Sequence, residues 1–134
     1  MVDRVRTVSA AVSLYAAFSI VSGVEAQTIA RTVVAGGVLK LGHYASVNPD
    51  CSLLGMPVVR LSVAPMHGAL RMFKTWDFSH FAATSLDRCN TRRVEGVSVE
   101  YRPERGFAGT DTFSLDIIYA SGRERVESFA IAVK

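Results

Sequence analysis

Residues 97–113 constrain this chain more than any other stretch. Val97, Val99 and Tyr101 alternate with Ser98 and Glu100, the period of a strand with one buried face. Pro103 has no amide hydrogen to give to a ladder and ends that strand. Gly106 and Gly109 then allow backbone angles closed to other residues. Alternation resumes with Phe113, Leu115, Ile117 and Tyr119 on one side and Thr112, Ser114 and Asp116 on the other. The same period appears at 58–63, with Val59, Leu61 and Val63 inward, at 69–73, and at the end of the chain, where Phe129, Ile131 and Val133 alternate with Ser128, Ala130 and Ala132. Residues 32–41 read as a first strand bent at Gly36-Gly37. The connections are a loop over 42–56 marked by Asn48-Pro49-Asp50, a tight turn over 65–68 and a turn over 120–123. Six strands with no helical period after residue 26 predict an all-β fold, an antiparallel β-sandwich.

The first 26 residues stand outside that pattern. Arg4 and Arg6 precede a mostly apolar run from Val8 to Val21, and Val24-Glu25-Ala26 supplies a peptidase site. This reads as a signal peptide cleaved after Ala26, with an uncleaved membrane anchor as the alternative and residues 27–134 forming one domain. The run is short for a bilayer span, which needs about 20 residues, so no stable membrane span is expected after cleavage. The expected location is periplasmic or secreted. The first 26 residues hold two acids and two bases, so residues 27–134 keep the net charge of +3. That mild basicity, interleaved with acids, suits anionic envelope polymers and lacks the footprint of a nucleic-acid binder.

Cys51 and Cys89 are the only cysteines. An exported chain meets an oxidising compartment, and an even count there predicts a disulfide. Two strands lie between them and return the chain to the end where it started. A third full strand would part the sulfurs by about 20 Å, whereas a disulfide holds its Cα atoms about 5.5 Å apart. Residues 75–89 are therefore expected to form an excursion at one end of the sandwich, with the strand at Val97 pairing back on 69–73.

The motif Tyr101-x-Pro103-x-x-Gly106-Phe107-x-Gly109-Thr110-Asp111-x-Phe113 resembles the signature of bacterial Ig-like (cadherin-like) domains. Pro65-x-His67-Gly68-x-Leu70 resembles the turn that precedes it in that family. The resemblance spans roughly the last 80 residues, the size of a small domain. It implies a single-copy Ig-like sandwich of about six to seven strands, in which Asp111 caps loop amides. In the family the connection after 69–73 is usually a tight turn; here it carries an insertion at about 74–95. Some relatives bind calcium, but the carboxylate that often follows the penultimate strand is replaced by Tyr119-Ala120-Ser121-Gly122.

The insertion brings Phe73, Trp76, Phe78 and Phe81 close to Arg88, Arg92 and Arg93, and the 120–125 turn adds Arg123 at the same end. Aromatics beside arginines suit a protein or glycan partner; the competing reading makes them a cap on the open end of the core with a solvated rim. Phe73 shares parity with Arg71 rather than with Leu70 and Met72, and should face out of the sandwich. His43, His67 and His80 fall in three different connections, His67 at the opposite end from His80, which argues against a zinc site; His67 is expected to fix its turn by hydrogen bonding. The chain lacks a Gly-x-Ser-x-Gly elbow, a paired-acid motif and a phosphate loop. The sequence therefore predicts a non-enzymatic binding or assembly module with no cofactor and no metal. The alternative is a structural subunit that self-assembles or pairs by edge-strand addition, its edge expected at 32–41.

Overall fold

The computed structural model describes residues 27–82 and 85–134, so the expected signal peptide lies outside the described residues. Seven strands form two facing sheets among these residues. The first sheet runs β1 (Thr28–Val33), β7 (Glu124–Val133), β6 (Gly109–Ile118), β3 (Val58–Val63). The second runs β2 (Leu39–Tyr44), β5 (Arg93–Pro103), β4 (Gly68–Phe78). All pairings are antiparallel except β1 with β7. The all-β sandwich expected from the alternation is the observed architecture.

The inward sides of β5, β6 and β7 make the core, because alternation sends every second side chain to the same face. Val99, Tyr101, Phe113, Leu115, Ile117, Phe129, Ile131 and Val133 are buried there. Phe113 lies between Tyr101 and Phe129, with ring centroids 5.5 and 5.1 Å away. Offset aromatic pairs of this kind add about 0.5–1.5 kcal/mol each beyond burial of area.

At one end Asp111 ties the sheets together. Its carboxylate accepts the amides of Met66 (3.0 Å) and His67 (3.1 Å) and the Tyr101 hydroxyl (2.8 Å). One side chain of β6 thereby fixes both the β3–β4 turn and the end of β5. This matches the expected capping role, with Tyr101 as an added partner. His67 fixes its turn through backbone hydrogen bonds, donating its amide to Asp111 and accepting the Glu104 amide at 2.9 Å, while its ring stacks on Phe107 at 4.3 Å.

Three expectations are corrected. Residues 32–41 are not one strand. Gly36 turns the chain at φ +77°, closed by the Gly37 amide on the Val34 carbonyl, and β1 and β2 belong to different sheets. The following loop accordingly starts after Tyr44. Leu61 and Val63 are not sealed inside: they are 42% and 56% exposed, because β3 is a terminal strand and a bulge between them shifts the register. Finally, the excursion is shorter than 75–89. Beta-pairing continues from Gly68↔Pro103 to Phe78↔Arg93, which leaves residues 79–92 as the connection, with a 3-10 turn at Asp87–Thr91.

The Cys51–Cys89 disulfide is present, with Cα atoms 5.5 Å apart and a sequence separation of 38. By the chain-entropy argument it should contribute about 3–4 kcal/mol. The Cys51→Ser/Cys89→Ser variant should lower the extrapolated unfolding free energy in urea by about that amount. Unchanged stability would show that the link constrains nothing.

On the outer face of the first sheet, Arg60 reaches Asp116 Oδ2 at 2.7 Å while Asp116 Oδ1 has no partner among the described residues. Glu124 lies beside Asp116. Its carboxyl is held above the usual carboxylate range, first by the hydrogen bond to Asp116 and then by the Asp116 charge. The native state thus binds this proton more tightly than the unfolded chain. Its stabilisation is complete below about pH 4.3, the unfolded value, and fades as pH rises through the native value. The stability advantage of the wild type over Glu124→Gln should therefore shrink as pH rises from about 4.3 through the raised native value. A constant or growing advantage would refute the shared proton.

Candidate functional site

The far end of the β4–β5 hairpin decides what the other end of the sandwich presents. Lys40 lies beside Glu100 in the ladder, and Asp77 beside Val94, six positions along β5. In straight strands these pairs stand about 20 Å apart. Yet Lys40 Nζ forms an ion pair with Asp77, and this contact, with the Phe78 amide, holds the Asp77 carboxyl below its usual range. The hairpin must bend back over β2. Gly96 permits the bend: a Cβ there would sit 2.3 Å from the Tyr44 carbonyl oxygen and 2.9 Å from His43 Nε2.

His43 fastens the bend. Its Nε2 meets the Val94 carbonyl at 2.8 Å and its Nδ1 meets Ser98 Oγ at 2.8 Å, both buried. A carbonyl only accepts, so Nε2 carries a proton. The Ser79 hydroxyl donates to the His43 carbonyl at 2.7 Å. Below lies a second small core of Ala45, Val47, Cys89 and Val94, with Cys51, Phe81 and Leu86 packed against it. Asn90 pins Phe81 through both backbone groups, accepting its amide at 2.7 Å and donating to its carbonyl at 3.1 Å.

This divides the residues singled out from the sequence. Phe81 belongs to the second core, as the capping alternative required. Phe73 is half-buried on the outward face with the Arg71 guanidinium 4.5 Å over its ring. Trp76 and Phe78 share one face of the ribbon and are 63% and 50% exposed. Arg93, opposite Phe78, lies 5.6 Å over that ring, and Glu95 stands opposite Trp76. Arg88 and Arg92 are exposed on the 3-10 turn and just after it. Arg123 is exposed in the β6–β7 turn, which reaches the same end: the Ala120 amide donates to Ser46 Oγ at 3.0 Å. His67 and His80 lie at opposite ends, and His43 is committed to the bend. These parts share an end of the molecule, but only Trp76, Phe78 and Arg93 form one surface.

Beside the ribbon is a cleft of about 490 Å³, between β1–β7 and the outer edge of β2, with residues 78–82 across one end. On its floor the Tyr44 hydroxyl donates to Glu127 Oε2 at 2.6 Å, and Arg125 pairs with the same carboxylate. Burial first, then the hydrogen bond to Glu127 and its charge, pushes the Tyr44 hydroxyl far above its usual pKa, so it stays a donor. The sequence reading missed this cleft. The signal was the alternation of Phe129, Ile131 and Val133, which runs back through Glu127 and Arg125 as inward positions and across the β1–β7 ladder to Arg31. No family model matches the chain, and no curated protein matches it.

Gly96→Ala should destabilise the protein by about 1–3 kcal/mol through overpacking, and should hasten proteolytic cleavage within residues 79–92 as the ribbon is pushed off β2. Wild-type stability and protease resistance in that variant would show that the bend does not depend on the missing side chain.

Proposed function

We propose that this chain is an exported, non-enzymatic bacterial Ig-like (cadherin-like) module that binds a protein of the envelope or cell exterior. The observation that carries the reading is the pair Trp76 and Phe78, exposed side by side on a cystine-anchored ribbon. A large apolar surface left in water marks an interaction site, and Trp with a neighbouring Arg is the typical composition of an interface hot spot. Beta-strand β4 is also the terminal strand of its sheet among the described residues. Its unpaired backbone groups can take an added strand beside the aromatics, which favours a protein over a glycan. Export is supported by the basic and apolar leader and by the disulfide, which belongs to oxidising compartments.

A second reading, self-assembly by edge pairing, draws on Val58, Leu61 and Val63, which are exposed on β3, the terminal strand of the other sheet. One experiment separates the two. A photo-crosslinking residue replaces Phe78, or Thr112 on the far face, in the full chain expressed in bacteria. Position 78 should give a discrete heterologous protein adduct that is lost on Trp76→Ala, and position 112 should give none. Equal labelling from both positions sinks the ribbon as the contact. Adducts of the chain with itself, together with concentration-dependent oligomers abolished by Leu61→Lys, establish the second reading in its place.

A further inference from the structure

The cleft between β1–β7 and β2 has the size of a small-molecule site, within the range of about 300–1,000 Å³. Its lining breaks the pattern that builds the rest of the sandwich. Arg31 pairs with Ile131, Arg125 with Ile117 and Glu127 with Leu115. All three partners are fully buried core residues. Residues paired across a ladder share a face, so three ionic side chains occupy inward positions. Arg31 and Arg125 stay exposed there and Glu127 is paired, so these positions tolerate charge. Where such a pattern fails in an otherwise consistent fold, function is the common reason.

The charges there are unequal. Glu127 is the only acid in the lining and is already engaged by Tyr44 and Arg125. Lys40 is engaged by Asp77. Arg31 has a single polar contact among the described residues, the Ala30 carbonyl at 3.3 Å, and no carboxylate partner. It is therefore the cation left to receive an anion. Flat apolar faces line the same cleft: Phe78 and Phe81 at the ribbon, and Tyr119, with the Arg125 guanidinium 5.8 Å over its ring, far along β7 at the β6–β7 turn. Ser79 and His80 add hydroxyl and imidazole groups.

We propose that this cleft binds an anionic sugar, with Arg31 taking its carboxylate or phosphate and the aromatic faces packing on the ring. A guanidinium presents parallel donors to either anion, and a polar ring with apolar faces matches a lining that mixes apolar and hydrogen-bonding side chains. The site stands apart from the Trp76 contact, sharing only Phe78 at its rim, so either can exist without the other.

The test is titration of the ¹⁵N-labelled protein with glucuronate, glucose 6-phosphate, glucose and a short oligouronide, followed by NMR. Anionic sugars should shift the amides of Arg31, Phe78 and Ser79 and bind at least about tenfold tighter than glucose, a difference of about 1.4 kcal/mol. Arg31→Ala should remove that preference, Arg31→Lys should keep part of it, and Trp76→Ala should leave it intact. Arg31 is exposed, so its variants test binding rather than folding. The oligouronide separates the sources: tighter binding than the monosaccharide points to an acidic polysaccharide, and equal binding to a free sugar acid. Glucose binding as well as the anions, shifts elsewhere, or no shift with any of the four overturns the proposal. Loss of sugar binding with Phe78 crosslinking retained would leave the protein-binding reading standing.

Discussion

Everything distinctive at one end of this molecule follows from a missing methyl group. At Gly96 the β4–β5 hairpin passes so close to the Tyr44 carbonyl that no side chain fits between them. This lets the hairpin's outer third lie against β2, where Lys40 and Asp77 meet and His43 and Ser79 close the contact. Two consequences have opposite character. The side of the ribbon turned toward β2 becomes a buried wall, with Val94 in the second core. Its other side, which follows the core parity of Leu70 and Met72, runs past the end of the sandwich with nothing facing it. That is why Trp76 and Phe78 are exposed on a strand whose earlier residues pack inward.

The two ends of the sandwich are held by different physics. At the Asp111 end one buried carboxylate satisfies two amides and a hydroxyl, and hydrogen bonds to a charged acceptor are worth about 1.5–3 kcal/mol. At the Cys89 end the second core has four buried residues, two of them no larger than cysteine. So small a cluster gains little from burial against the entropy of ordering residues 79–92. The cystine and the Asn90 clamp on Phe81 supply the constraint that burial does not.

Much of this was legible in the sequence, for a definable reason. Beta-strands β5, β6 and β7 are interior strands facing a covered core, so their apolar face was read correctly, although Ser98 and Asp116 on the opposite face are buried as well. Alternation misleads where a strand is terminal or leaves the sandwich. Leu61 has inward parity but nothing above it, and a bulge reverses Val63. Residues 32–41 looked continuous because valines flank Gly36-Gly37 on both sides, and local pattern does not reveal a change of sheet. Trp76 and Phe78 keep strand parity, but Lys74 on the same face interrupts the apolar pattern, and the segment resembles a loop when read alone. The bend was not readable at all, since it depends on Gly96 meeting Tyr44 some fifty positions away.

The same logic accounts for the cleft. Side chains at inward positions are apolar wherever both sheets cover them, as Phe129 and Ile131 are. On β1, the terminal strand, the inward position beside Ile131 is the exposed Arg31, and toward the β6–β7 turn the inward positions of β7 are Glu127 and Arg125. An open side needs no apolar filling, so those positions are free to carry charge. Burial of the Tyr44 hydroxyl against Glu127 then fixes which charges stay paired: the acid is satisfied from within the protein, and Arg31, four β7 positions along, is not. An excess of positive charge at the mouth of a partly desolvated cleft focuses the field inward. The unevenness of the core at this side is thus a consequence of sheet geometry, and the sign of the charge left over is what gives the cleft a preference.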